Sequence, residues 1–148
     1  EFSGCLKYEV STIPLTGMEH CLVIADDICR TRDFYRDSLG MEVGYRPPLS
    51  FPGYWLYLNG VPCIHIAEWK SYEEYTSGKN LPMTSKALST GPVDHLAFNA
   101  SGFEEMRARF KGTGIEFSED LVPETGIRQL FLKDPNGLKI ELNFSPEG

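Results

Sequence analysis

The chain has 148 residues, one domain's worth, enough to bury roughly two thirds of its unfolded surface. At 41% hydrophobic and 24% charged, with no low-complexity run, it has the composition of an ordinary globular protein, and no apolar stretch approaches the ~18 residues needed to span a bilayer. A net charge of −7 with scattered Lys and Arg argues against nucleic acid, so the expected partners are small molecules, with no membrane.

The opening EFSGCLKYEV has no initiator methionine and no signal-peptide pattern; residues 1–15 read as an N-terminal extension with a trimmed or expression-derived end. Cys5, Cys21, Cys29 and Cys63 form no C-x-x-C pair, and nothing demands disulfides, so a reducing cytoplasm is the expected location.

From residue 17 onward the chain repeats itself. GMEHCLVIADD places an acid and then His20 at the head of a strand. The helix that follows, DICRTRDFYRDSLGM, is capped by Asp27, carries Ile28, Phe34, Tyr35 and Leu39 on one face, and stops at Gly40. Short strands are expected at MEVGYR and WLYL, then a tight NGVP turn and the strand CIHIAEW. The linker 70–91 is long and polar, and reads as a lid, an arm to a second subunit, or a mobile segment.

The second copy opens with GPVDHLAFNAS, where an acid again precedes His95. Its helix, SGFEEMRARFKG, is expected to start from a Ser101/Glu104 capping box, to present Phe103, Met106 and Phe110, and to end at Gly112. GIEFSED, QLFL, the turn DPNG and LKIELNF complete it. Each half is thus strand, helix and three strands, with repeats over 16–69 and 92–144.

The three histidines of the chain all fall at repeat-equivalent strand slots, and the fourth slot holds a carboxylate: His20, His65, His95 and Glu141. Strand alternation sets Ile140, Leu142 and Phe144 against Glu141, and Ile64 and Ile66 against His65. If the apolar rows pack beneath the helices, the four polar groups share the opposite, concave face. A lone strand histidine is usually a hydrogen-bonded structural residue, but three on matched slots with a carboxylate suit a divalent metal ion. Four such ligands leave two positions of an octahedron open. Around them Trp55 and Tyr57, with Gln129 and Phe131, are expected to wall the cup, opposite Leu56, Leu58, Leu130 and Leu132. The stiff stretches RPP and FPGYW border it, and Arg46 or Arg128 can hold an anionic substrate.

The repeated unit, and the stretches FYRDSLGMEV, GPVDHLAFNA and LFLKDPNGLKIELNF, resemble the vicinal oxygen chelate superfamily of glyoxalases, extradiol dioxygenases and bleomycin-resistance proteins, over residues 16–145. The resemblance implies an α+β fold of two βαβββ half-modules forming a cupped, barrel-like eight-stranded sheet with helices outside. It also implies a homodimer and one divalent metal (Fe, Mn, Ni, Co or Zn) per site. His20, His95 and Glu141 match the ligands of the first, fifth and eighth strands. His65 stands at the fourth-strand slot, where glyoxalase I has a glutamate that binds metal and moves the substrate proton. Glu141 and His65 are accordingly the catalytic candidates, and His65 is expected to be a fourth ligand rather than an acid–base beside three. The substitution ranks a dioxygenase-like activity ahead of a lactoylglutathione lyase- or epimerase-like one. In both, the metal engages two adjacent substrate oxygens. The rival is a bleomycin-resistance-like protein that binds a small molecule without turnover.

Overall fold

The computed structural model describes residues 17–86, 90–91 and 93–146. The N-terminal extension 1–15, with Cys5, lies outside the described residues. Among those described, no helix is long and apolar enough to cross a membrane, and Cys21, Cys29 and Cys63 are free thiols.

The first half runs β1 (Cys21–Ala25), α1 (Ile28–Asp33), β2 (Glu42–Gly44), β3 (Gly53–Leu58) and β4 (Val61–Glu68). Asp27 caps α1 by accepting the Arg30 amide at 2.9 Å, which satisfies one of the orphan donors of the first turn. The helix then widens into a π-helical turn over Phe34–Ser38. It stops at Gly40, whose φ of +76° an L side chain adopts only with strain. β3 and β4 join through Asn59 and Gly60, with φ of 50° and 79°. This is the two-residue hairpin turn whose twist matches that of the strands.

After β4 the chain enters α2 (Trp69–Gly78). The stretch expected to be a linker is therefore partly helix. The stripe Trp69, Tyr72 and Thr76 has helical spacing, and its packing is tertiary. Phe51, 8% exposed, is held edge-on to Tyr72 at 5.1 Å and tilted against Tyr75 at 4.8 Å. Phe51 is thus a core anchor rather than a residue of an entrance rim.

The second half repeats the order with β5 (His95–Ala100), α3 (Phe103–Thr113), β6 (Phe117–Leu121), β7 (Arg128–Lys133) and β8 (Lys139–Phe144). The expected capping box is not made: Gly102, at φ 72°, is the cap residue, and no side chain bonds to the first turn. The helix runs through Gly112 and ends at Gly114, φ 70°. There the Ile115 amide reaches back to the Phe110 carbonyl at 3.0 Å. Ile115 packs on the core, and this apolar contact places the stop two residues later than the sequence suggests.

The strands form two four-stranded sheets, ordered β1-β4-β3-β2 and β5-β8-β7-β6. Within one chain they do not close into a barrel. In each, the first and last strands of the half run parallel and the rest antiparallel. One apolar row of each sheet enters a shared core with Leu56, Ile64, Ile66, Leu130, Ile140 and Leu142, all 3% exposed or less. Leu58, expected in that row, is 37% exposed because the ladder shifts register between Leu56 and the turn. The halves are pinned by the Tyr35 hydroxyl, which donates to buried Asp134 at 3.0 Å, and by Asn136 Nδ2 donating to Thr31 at 3.2 Å. Asp134 also holds the amides of Asn136 and Leu138, shaping the DPNG turn.

Candidate metal centre

The candidate donors lie on the faces of the two sheets turned away from the core, and the structure brings them together as two pairs. Among the described residues, no group of three or more His, Cys, Asp or Glu is gathered closely enough within one chain to hold a metal ion. Strand alternation does place His65 and Glu141 opposite the apolar rows, but each sheet carries its own pair.

On the first sheet His65 sits in register with Trp55 on β3 and Leu22 on β1. His20 immediately precedes β1 rather than lying inside it. The rings of His20, His65 and Trp55 form a continuous stack: 3.8 Å between the histidines, 12° between their planes, and 3.9 Å and 10° from His65 to Trp55. His65 Nε2 lies 3.0 Å from the Pro62 carbonyl, an acceptor only, so this nitrogen carries the proton and the Nδ1 lone pair remains. His20 Nδ1 donates to Glu19 at 2.9 Å, which leaves its Nε2 lone pair. Lone pairs lie in the ring plane, and near-parallel stacked planes do not meet. In this arrangement the two imidazoles cannot both point at one ion about 2.0–2.1 Å away. Burial, then the neighbouring His20, holds His65 below the ordinary imidazole range, which favours the neutral ring.

On the second sheet His95 opens β5 and Glu141 lies in β8 beside Phe131 of β7. His95 Nε2 and Glu141 Oε2 are 3.8 Å apart, with the side chains 36% and 16% exposed. Two donors on one tetrahedral ion stand about 3.3 Å apart, so a closure of a few tenths of an ångström makes this a chelating pair. The carboxylate is also held within the sheet: Asn143 Nδ2 donates at 3.1 Å to Oε2, the oxygen that faces His95, and Gln129 Nε2 lies 3.4 Å from Oε1 and 2.8 Å from the Asn143 oxygen. On the far side of the imidazole, Nδ1 donates to Asp94 at 2.8 Å, and Asp94 also accepts from Lys139 at 2.6 Å. Lys139 and then His95 hold the Asp94 carboxyl below its usual range. The donor set of imidazole nitrogens with free Nε2 lone pairs and a braced carboxylate fits a borderline divalent ion.

The other candidates separate. Trp55 and Tyr57 share the open face of β3, but the Tyr57 hydroxyl is spent on the Tyr45 carbonyl at 2.6 Å. Gln129 braces the site carboxylate, and Phe131 is its cross-strand neighbour. Arg128 is engaged, paired with Glu104 at 3.3 Å and stacked 3.5 Å over Phe103. Arg46 differs. Among the described residues it faces no carboxylate within ion-pair range, its Nη2 donates to the Phe51 carbonyl at 2.7 Å, and its buried Nε has no partner. Desolvation lowers its pKa, and its charge is felt at His65. The roles of Asn143, Asp94 and Glu19 were not read from the sequence, although the acid before each histidine was visible in both repeats.

A family model described as Glyoxalase/Bleomycin resistance protein/Dioxygenase superfamily matches residues 17–142. Among solved structures, the chain is similar to a genomically encoded fosfomycin resistance protein, FosX, from Listeria monocytogenes. That likeness has 19% identity and a TM-score of 0.64, covering 88% of this chain and 94% of that one. It is also similar to lactoylglutathione lyase from Agrobacterium tumefaciens, at 21% identity, TM-score 0.63, and 88% and 95% coverage. A variant of the Listeria protein, 19% identical with TM-score 0.66 and covering 88% and 93%, was solved with Mn(II) and 1S,2S-dihydroxypropylphosphonic acid. At these identities the likeness speaks to the fold. No curated protein matches the chain significantly.

Proposed function

The chain belongs to the glyoxalase/bleomycin resistance/dioxygenase superfamily, and from that premise we propose that it is a metal-dependent enzyme acting on a small substrate through two adjacent oxygens. His20, His95 and Glu141 would hold the metal, a two-histidine, one-carboxylate set of the kind used by non-haem oxygenases. This supports a dioxygenase-like activity ahead of a lyase- or epimerase-like one. The observation that carries the reading is the second-sheet pair: His95 Nε2 lies 3.8 Å from Glu141 Oε2, the imidazole is bonded through Nδ1 to Asp94, and the carboxylate accepts from Asn143. A divalent ion bound there supplies Lewis acidity to the substrate oxygens.

His65 takes a different role from the one its repeat position suggests. Locked between His20 and Trp55 and hydrogen-bonded to Pro62, it is a neutral imidazole beside the metal ligands, with its Nδ1 lone pair ready to accept a proton. Trp55, Phe131 and the aromatic body of Tyr57 wall the substrate, and the uncompensated Arg46 suits an anionic group on it. The donors fall as two pairs on two sheets, which supports a site completed between the first sheet of one subunit and the second sheet of another, in a homodimer.

Elemental analysis of protein purified without chelator, followed by oxygen uptake with catechols and a hemithioacetal isomerase assay, tests the chemistry. Oxygen uptake supports the reading; isomerase activity alone moves the protein to the lyase branch; neither metal nor turnover leaves a binding protein. The shared site has its own test. His20→Ala and Glu141→Ala chains, each inactive alone, regain one intact site per mixed dimer when co-expressed. A mixture as dead as its parts, or a monomer mass in light scattering at micromolar concentration, rules the shared site out.

A further inference from the structure

Both candidate histidine ligands make the same contact on the side away from the proposed metal, and the proposed chemistry gives the acids that accept it no role of their own. His20 Nδ1 donates to Glu19 at 2.9 Å and His95 Nδ1 donates to Asp94 at 2.8 Å. In each half the acid is the residue directly before the histidine. We infer that Asp94 and Glu19 are positioning residues, each fixing its imidazole in the tautomer and orientation that turns Nε2 outward toward a divalent metal ion. The inference deepens the ligand assignment above and rests on it.

A carboxylate accepts and never donates when ionised, so in the neutral imidazole, the form that binds a metal, contact with Nδ1 places the ring proton there and leaves the lone pair on Nε2. Without such an acceptor a neutral imidazole exchanges between tautomers and rotates about its terminal torsion, and either change aims the wrong nitrogen. Carboxylate partners of metal-bound histidines also raise ligand basicity, and losing one typically weakens metal binding 10–100-fold.

The two halves differ in how firmly the acid is held. Asp94 is tied to Lys139 at 2.6 Å, and Lys139 is the cross-strand register partner of His95. Acid, imidazole and lysine thus form a closed group on two neighbouring strands. Glu19 is 87% exposed and bonds to His20 alone among the contacts described. The acid carrying the stronger positioning effect is Asp94.

The experiment uses the full chain with Co(II) as the probe. Affinity is measured by competition with a chromophoric chelator, and the bound state by its visible spectrum. The parent is compared with Asp94→Ala, Asp94→Asn and His95→Ala, with the dimer mass and the thermal midpoint of the metal-free form as controls. Asp94→Ala is expected to bind Co(II) ~10–100-fold more weakly and to shift the Co(II) spectrum, with the metal-free midpoint close to that of the parent. Asp94→Asn, whose amide oxygen still accepts from Nδ1 and whose shape is unchanged, is expected to recover part of the loss. If His95→Ala loses metal while Asp94→Ala and Asp94→Asn bind within twofold of the parent, the positioning role is overturned and the ligand assignment survives. If His95→Ala itself binds Co(II) as the parent does, the ligand assignment falls and the inference with it.

Discussion

The two halves of the molecule use one scaffold to arrange polar side chains by different physics. On the first sheet the rings of His20, His65 and Trp55 are organised by stacking, with centroids 3.8 and 3.9 Å apart. On the second, Lys139, Asp94, His95, Glu141, Asn143 and Gln129 are joined by directional contacts, from 2.6 Å at the lysine to 3.8 Å between His95 and Glu141. Stacking fixes a ring's plane and leaves its lone pair to other contacts, here single bonds from His20 to Glu19 and from His65 to the Pro62 carbonyl, whereas the second sheet joins its groups into a continuing chain of polar contacts. The repeat partners His65 and Glu141 thus stand in different surroundings, whereas His20 and His95 keep the same contact to the preceding acid. In the proposed site the second half would offer two donors, His95 and Glu141, and the first half one, His20, with His65 stacked beside it.

The largest effect expected from breaking this asymmetry is at Glu141. Glu141→Ala removes a proposed ligand from the second half and should weaken metal binding by more than the ~100-fold that outer partners account for. The apo fold should survive, since this face of β8 is turned from the core. Retention of a full metal complement on elemental analysis would take Glu141 out of the site. Next comes His65. His65→Ala should lower turnover ~10²-fold while metal affinity stays close to that of the parent, the signature of an acid–base group rather than a ligand. A loss of affinity matching that of His95→Ala would restore the four-ligand site, and rescue by His65→Glu with hemithioacetal isomerase activity would make it glyoxalase-like.

A smaller change tests the joint between the halves. Tyr35→Phe deletes a hydrogen bond to buried Asp134, and bonds to charged groups contribute about 1.5–3 kcal/mol. The thermal midpoint should fall by several degrees. An unchanged midpoint would mean that the apolar core and the Asn136–Thr31 contact unite the halves without it. The smallest effect belongs to Glu19. Glu19→Ala should weaken Co(II) binding by less than Asp94→Ala does, because no lysine anchors the acid it removes. A larger loss at Glu19 would reverse the ranking of the two halves.

Much of this architecture is legible in the residues. Period-two alternation marks the buried row of β8, the Asn59–Gly60 pair marks the turn between β3 and β4, and Asp27 and Gly40 bracket the first helix, because each depends on chemistry within a few residues. The late end of α3 has a tertiary cause. Gly112 is an acceptable end signal, but the packing of Ile115 on the core selects Gly114. The helix α2 escaped notice because its polar sequence has a thin stripe of contact residues, and its partner Phe51 lies far back in the chain. Asp134 looked like an ordinary turn residue, and only the arrival of Tyr35 from the other half makes it a buried pin.

By itself, then, the sequence determined that two βαβββ units follow one another and that His65 and Glu141 face away from the apolar rows, since strand period dictates the side on which each residue emerges. Which of these groups meet, and with which atom forward, was decided by tertiary structure. The donors lie on two sheets whose placement depends on core packing far along the chain. The direction of an imidazole lone pair depends on rotamer and hydrogen-bond partner, neither of which a one-dimensional repeat encodes.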